Sequence, residues 1–502
     1  MSRIEEQLRT FQLSGEFPRR MIFERCILPV EESERQITIA ASRPHDPMVS
    51  AILTYLLQKE VCWLALDENL VRKLIQKHYG VGGDTLHALM DKDGDGSVAG
   101  AQDLDASCDD EEASVVRFVN QVIREARRER ATDIHFEPME DSLRIRFRVD
   151  GVLRPVPLPP DIKRFENSII SRVKVMSGMD IAERRLPQDG RLQTRMDGEE
   201  LDVRVSTIPT AHGESVSLRL LARRSAVMSL EHVGFSIENC TRLRGLIRRP
   251  HGIILLTGPT GCGKSTTLYT ALSEINREEL RIITIEDPIE YTLAGVNQVQ
   301  VRTDIQFDFA RCLRHVLRQD PDVIMVGEIR DHETAEIAIR ASLTGHLVFS
   351  TLHTNDAPGA VTRLLDMGVE PFLVSSSLQL VIAQRLVRTV CPHCAKPCGT
   401  PSALPPADFE WLCGRSGDFR FRQGAGCERC GSQGYLGRTA IHEFMELSET
   451  LRPLVLNHAS AATLRDASVK EGMLTLRQDG WIKAAQGITT VDEVMRVTEE
   501  RE

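Results

Sequence analysis

Gly252-Ile-Ile-Leu-Leu-Thr257 runs directly into Gly258-Pro-Thr-Gly-Cys-Gly263-Lys264-Ser265, and a helical stretch then continues through Thr266 to Ile275. A short apolar run bounded by glycine reads as a buried strand. The octet fits the pattern G-x-x-x-x-G-K-[ST] at every fixed position, and it lies where that pattern must lie, between a strand and a helix. Gly258, Gly261 and Gly263 let the main chain curl so that its N–H groups point at phosphate oxygens, with Pro259, Thr260 and Cys262 spacing them. The start of the helix adds a favourable field. In such a loop Lys264 reaches the β- and γ-phosphates and Ser265 Oγ ligates Mg²⁺. Residues 258–266 are therefore the candidate nucleotide site, with ATP and Mg²⁺ expected there.

Working outward, two further apolar strands end in acids. Asp322-Val-Ile-Met-Val-Gly327-Glu328 has glycine where such a strand usually carries Asp, leaving Glu328 as the carboxylate that binds the metal through water. The strand 282–285 leads into Glu286-Asp-Pro-Ile-Glu290. Strand ends in a parallel sheet face the ligand crevice, so one of these acids can orient and deprotonate the attacking water. His346 and His353 flank a third strand, Leu347-Val-Phe-Ser-Thr351, and an imidazole beside the γ-phosphate can sense its loss.

The chain has 502 residues, which at roughly 100–200 per domain predicts three or four domains. Its composition, 41% hydrophobic and 27% charged, supports large cores and excludes global disorder. A net charge of -10 argues against a dedicated nucleic-acid binder. No apolar run reaches a membrane-spanning length, and the start, Met-Ser-Arg-Ile-Glu-Glu, has no signal core, so a cytoplasmic chain is expected. Residues 1–83 read as a small α+β domain with a strand at 36–40 and helices at 49–59 and 69–78. Residues 84–113 read as an acidic linker, since 91–112 hold nine acids against Lys92. The segment from Asp91 resembles the opening of a calcium loop, but its twelfth position is Gln102, so a solvated tether is the better reading. A second domain, 114–235, starts with an amphipathic helix capped by Ser114. It continues in strands such as Leu143-Arg-Ile-Arg-Phe-Arg-Val149 that alternate apolar with Arg, the pattern of a half-buried antiparallel sheet. The arginines there read mostly as a solvated face. Strands alternate with helices over 236–385, which implies a parallel α/β sheet.

Cys391-Pro-His-Cys394 and Cys427-Glu-Arg-Cys430 form two C-x₂-C pairs thirty-two residues apart. Four thiolates so spaced close a tetrahedral Zn²⁺ site, structural because no position is left open. His393, Cys398 and Cys413 compete as ligands, and Arg385, Arg388 and Lys396 lie near enough in sequence to offset its charge.

Several blocks together resemble the secretion ATPases, most narrowly the E proteins of type II secretion and the pilus-assembly ATPases. They are 258–265, Ile285-Glu-Asp-Pro-Ile-Glu-Tyr291, Leu317-Arg-Gln-Asp-Pro-Asp322, Gly327-Glu-Ile-Arg-Asp331, Thr344-Gly-His346 and Leu352-His-Thr-Asn355. Upstream and downstream the likeness continues in Ala131-Thr-Asp-Ile-His-Phe-Glu-Pro138, Arg185-Leu-Pro-Gln-Asp-Gly-Arg191, Val205-Ser-Thr-Ile-Pro-Thr210 and Gly434-Tyr-Leu-Gly-Arg438, so that it covers 114–500. The resemblance implies a RecA-like P-loop domain at 236–385, preceded by α+β domains of which 114–235 is PAS-like. It implies a tetracysteine zinc subdomain at 386–440 and a small helical part at 441–502. It makes Glu286 the water-activating base, Glu328 the acid of the second nucleotide motif, and His346 and His353 a histidine box. It offers Arg191 and Arg204 as arginines that close over the phosphates. It further implies a homo-hexamer, an inner-membrane secretion protein docking on 1–83, a polytopic inner-membrane platform protein, and peripheral attachment to the cytoplasmic face of that membrane with no direct span.

The expected activity is ATP hydrolysis that drives pseudopilus assembly and protein export; the alternative is the extension motor of a type IV pilus. A nucleic-acid motor is disfavoured by the charge balance, and a cyclic-di-GMP reader by the lack of a matching motif in residues 1–30. Lys264→Ala is expected to abolish hydrolysis and leave the fold intact; turnover at the wild-type rate would refute the phosphate-loop assignment.

Overall fold

In the computed structural model the described residues are 17, 21–22, 25–79, 104–196, 198–222, 229–415 and 419–498. The chain divides into two compact units, 1–223 and 224–502.

The first unit opens with a three-stranded sheet: β1 (Ile27–Glu32), β2 (Gln36–Ala41) and β3 (Glu60–Ala65). β1 and β2 pair antiparallel, whereas β2 and β3 pair parallel and so need a crossover. The helix Pro47–Leu57 supplies it, started by Asp46, whose carboxylate accepts from the N–H groups of Met48 and Val49, with proline at the first helical position. The helix expected to begin at Ser114 instead spans Leu104–Arg128, so part of the expected linker is helical. Its buried stripe is the one the periodicity marks: Val115, Val119, Val122, Ile123 and Ala126. The calcium-like segment lies outside the described residues.

That stripe belongs to the core under a six-stranded antiparallel sheet ordered β6-β5-β4-β9-β8-β7. The strands are β4 (Ala131–Pro138), β5 (Leu143–Val149), β6 (Val152–Pro155), β7 (Gln188–Met196), β8 (Glu199–Thr210) and β9 (Gly213–Ala222). In β5, Leu143, Ile145, Phe147 and Val149 face the core and the arginines face out. Those arginines do more than meet water: Glu137 accepts from Arg144 Nε at 2.7 Å and from Arg146 Nε at 2.9 Å.

The second unit holds a seven-stranded sheet ordered β12-β11-β13-β14-β10-β15-β18. Its strands are β10 (Gly252–Thr257), β11 (Ile282–Glu286), β12 (Asn297–Gln300), β13 (Val323–Val326), β14 (Leu347–Leu352), β15 (Leu378–Val390) and β18 (Tyr435–Glu446). All pairings are parallel except β15 with β18. β10, β13 and β14 are buried at every residue, as parallel strands covered on both faces must be. Alternate residues feed two cores: Ile253, Leu255, Ile324 and Val348 on one face, and Ile254, Leu256, Met325 and Phe349 on the other.

The sheet does not stop at 385, and the expected boundaries at 385/386 and 440/441 fall inside strands. β15 and β18 form one long hairpin at the edge, and the cysteine segment is an insertion at its tip, carrying the short pair β16 (Ala395–Pro397) and β17 (Arg422–Gly424). Glu443 of β18 is only 4% exposed. One of its oxygens accepts from Ala357 N at 2.9 Å and the other from Leu476 N at 3.3 Å, closing the first turns of the helices Ala357–Asp366 and Leu476–Ala485. Burial pushes its carboxyl above the usual range, against these two amides. Glu443→Ala leaves both buried amides without their acceptor, and a loss of about 1–3 kcal/mol in urea unfolding is expected; a change below about 0.5 kcal/mol would show that the carboxylate holds nothing.

Candidate nucleotide site and metal centre

Because β10, β11, β13 and β14 run parallel, the loops that leave their C-terminal ends share one edge. The phosphate loop leaves β10 there, and the helix Lys264–Ile275 follows it. Gly258 has φ +145°, and a Cβ on it would lie 2.6 Å from Gln384 O and 2.7 Å from Cys262 Sγ, so only glycine fits. Gln384, buried on β15, supports the loop from below: its amide donates to Cys262 O at 2.7 Å and its carbonyl accepts from Thr267 Oγ1 at 2.8 Å. Thr257 and Thr354 join their hydroxyls at 2.7 Å, tying the loop to the turn after β14. Arg385 makes a second tie, donating to Gln384 O at 3.0 Å and to Asn355 O at 2.8 Å. It therefore serves the phosphate loop and not the cysteine cluster. Arg388 likewise is taken up elsewhere, bound to Glu493 at 2.7 Å and stacked over Tyr435.

Lys264 Nζ donates to Gly258 O at 2.7 Å and Pro259 O at 3.1 Å. Burial lowers its proton affinity; Glu328 is one of the charges it feels and works in the opposite sense. Glu328, at the end of β13, receives His353 Nε2 at 3.1 Å and a guanidinium contact from Arg330. Burial alone would raise its carboxyl, but Arg330 and His353 hold it below the usual range, so it stays ionised. Gly327 N donates to Ile285 O at 2.8 Å, and a Cβ there would press on that carbonyl at 3.1 Å. The glycine is thus a consequence of close strand packing, and the carboxylate stands one residue on, at Glu328.

Two expected members are placed differently. His346 precedes β14 at the opposite edge of the sheet, with its Nδ1 2.9 Å from Ala341 O. A six-residue strand separates it from His353, and at ~3.3 Å per residue that is about 20 Å. The pair therefore does not share one site in this chain. Glu286 ends β11 but is 4% exposed and turned into the core. It accepts from Tyr269 Oη, from Thr284 Oγ1 at 2.5 Å and from Gln298 Nε2 at 3.0 Å. Of the acids on the following turn, Asp287 is exposed and close enough to Arg330 for its charge to be felt there.

In the first unit Arg191 and Arg204 are cross-strand partners on β7 and β8, and Arg204 in turn faces Arg219 on β9. Asp133 of β4 continues the row and accepts from Arg219 Nε at 3.0 Å. Like charges directly opposite each other cost stability, and Asp133 offsets part of that cost at the Arg219 end of the row. Sequence reasoning missed Arg219, since its alternating strand gives no sign of which arginines become neighbours.

The four sulfurs of Cys391, Cys394, Cys427 and Cys430 lie within 4.8 Å of one another. Sγ–Sγ distances of 3.8 Å (Cys391 to Cys427), 3.9 Å (Cys394 to Cys430) and 3.7 Å (Cys427 to Cys430) match the roughly 3.8 Å edge of a tetrahedron with ~2.3 Å Zn–S bonds. His393 faces Arg429, and Cys398 and Cys413 are exposed outside the cluster, so the competing ligands drop out. The donor set fits a closed Zn²⁺ site.

A phosphate loop on a parallel α/β sheet, with an acid–imidazole pair at the neighbouring strand ends, defines a P-loop ATPase. The family model described as type II/IV secretion system protein matches residues 108–496, and the chain belongs to that family. An MshEN domain model matches 3–85. The type II secretion system protein E of Aeromonas hydrophila is 48% identical over 450 residues, covering 88% of each chain. The type II secretion system ATPase E of Vibrio cholerae is 50% identical over 403 residues, 80% of this chain and 78% of that one. The type IV pilus assembly ATPase PilB of Myxococcus xanthus is 42% identical over 485 residues, 95% of this chain and 85% of its own. Among solved structures, the Legionella pneumophila ATPase DotB superposes with a TM-score of 0.56 at 22% identity over 76% of this chain and 95% of that one, a likeness of fold.

Replacing Cys394 by Ser removes one of four donors. It is expected to abolish bound zinc and to loosen the tip of the β15–β18 hairpin; metal analysis showing an unchanged zinc content would remove the site.

Proposed function

We propose that this chain hydrolyses ATP to drive pseudopilus assembly and protein export in a type II secretion system. The observation that supports this most directly is Lys264 in its loop beside the Glu328–His353–Arg330 group, in a chain that shares 48% identity with a type II E protein over nearly its full length. In this reading the loop amides of 258–266 and Lys264 bind the phosphates. Ser265 and Glu328 would hold Mg²⁺, which would screen the phosphate charge. An acid of the 287–290 turn orients the attacking water, and His353 passes the loss of the γ-phosphate to the turn after β14. Arg191 and Arg204 are the arginines offered for neutralising transition-state charge, a contribution of about 10³–10⁵ in rate where an arginine finger acts. The working assembly is a homo-hexamer at the cytoplasmic face of the inner membrane. Residues 1–83 dock on an inner-membrane secretion protein, and a polytopic platform protein receives the motion. Among the described residues no helix is long and apolar enough to cross a membrane.

The pilus-assembly reading has its own support in the 42% identity to PilB over 95% of this chain. The two separate by partner. Turnover measured with and without the cytoplasmic domains of the secretion and pilus membrane partners is expected to rise at least about tenfold with the secretion partner alone, a typical coupling of 1–3 kcal/mol. Stimulation by the pilus partner alone would transfer the chain to pilus assembly.

A further inference from the structure

The acid that sequence reasoning put forward as the water-activating base is built as a strut. Both carboxylate oxygens of Glu286 are occupied from within the core: Oε1 by Thr284 Oγ1 and Gln298 Nε2, and Oε2 by Tyr269 Oη. Each donor belongs to a different element. Thr284 lies on the same strand, Gln298 on β12, and Tyr269 on the helix Lys264–Ile275 that starts at the phosphate loop. A carboxylate at 4% exposure that already takes three donors from within the core is poorly placed to activate a water in the crevice. Lys264 feels the charges of Glu328 and Arg385.

The same groups hold the turn that follows. Gln298 Nε2 also donates to Tyr291 O at 3.1 Å, while its Oε1 accepts from Leu293 N at 2.8 Å. Gln300, on the same face of β12, accepts from Ile289 N at 3.1 Å. Tyr291 stands edge-on to Tyr269, ring centres 4.5 Å apart. The segment 287–291 is therefore clamped at its start by Glu286, in its middle by Gln300 and at its end by Gln298. The phenol of Tyr269 is the link between that clamp and the helix carrying Lys264 and Ser265.

We propose that Tyr269 and Glu286 are positioning residues that set the distance between the phosphate loop and the acidic turn 287–290. The proposal rests on hydrolysis at the phosphate loop. Glutamine suits the strut geometrically: its carbonyl can take the place of Oε1, and its amide can donate to the phenol oxygen in place of Oε2. Loss of a general base costs about 10²–10⁴ in rate, so Glu286→Gln discriminates: as a positioning variant it is expected to keep kcat within about tenfold of wild type. Tyr269→Phe severs the link and is expected to lower kcat about tenfold or more while KM for ATP moves less than about twofold. Glu286→Ala is expected to lose more activity than Glu286→Gln, the conservative residue rescuing. A fall of about 10³ or more in Glu286→Gln, or a Tyr269→Phe enzyme with unaltered kcat, overturns the assignment. Hydrolysis surviving in Lys264→Ala would instead overturn the nucleotide site itself, whatever these variants do.

Discussion

Parallel pairing of β10 with β14 and with β15 is the constraint on which the site depends. The register sets Thr257 against Leu352 on one side and Ala383 on the other. The residues one step further along each chain, Gly258, His353 and Gln384, must therefore lie side by side. Three polar links then fix the edge: Thr257 to Thr354, Gln384 to Cys262, and Arg385 to Asn355. These links join segments about 30 to 120 residues apart in sequence, so the loop's shape is a property of the whole sheet, as the close approach at Gly258 shows. Burial of the six β10 residues on both faces holds the platform rigid beneath it.

Much of this was legible because the signals were local. Strand, glycine loop and helix are contiguous over 252–275, and the paired cysteines carry their spacing on their face. What was not legible depended on direction and register. The periodicity of β11 marks Glu286 as a strand end but does not say that its side chain turns toward Tyr269 and away from the crevice. His346 and His353 are seven positions apart and look like a bracket, yet an extended strand carries them to opposite edges. A buried tyrosine hydroxyl needs a partner, and that rule applied to Tyr269 was the one available hint.

The first unit makes the same point through its antiparallel register. Read singly, each arginine of 114–235 is an outward residue on an alternating strand. Read across the sheet, Arg191, Arg204 and Arg219 align, with Asp133 at the end of the row and Glu137 bracing Arg144 and Arg146 on the neighbouring strand. The carboxylates anchor individual guanidinium groups, which fixes their direction on the sheet face.

The cysteine cluster sits at the tip of the β15–β18 hairpin, and the middle of that hairpin carries Gln384 and Arg385 beneath the phosphate loop. Six or so residues of β15 separate the two, about 20 Å along the strand. An insertion at a hairpin apex leaves the pairing below it intact, so the thiolate knob can be reshaped without redrawing the floor under the phosphate loop.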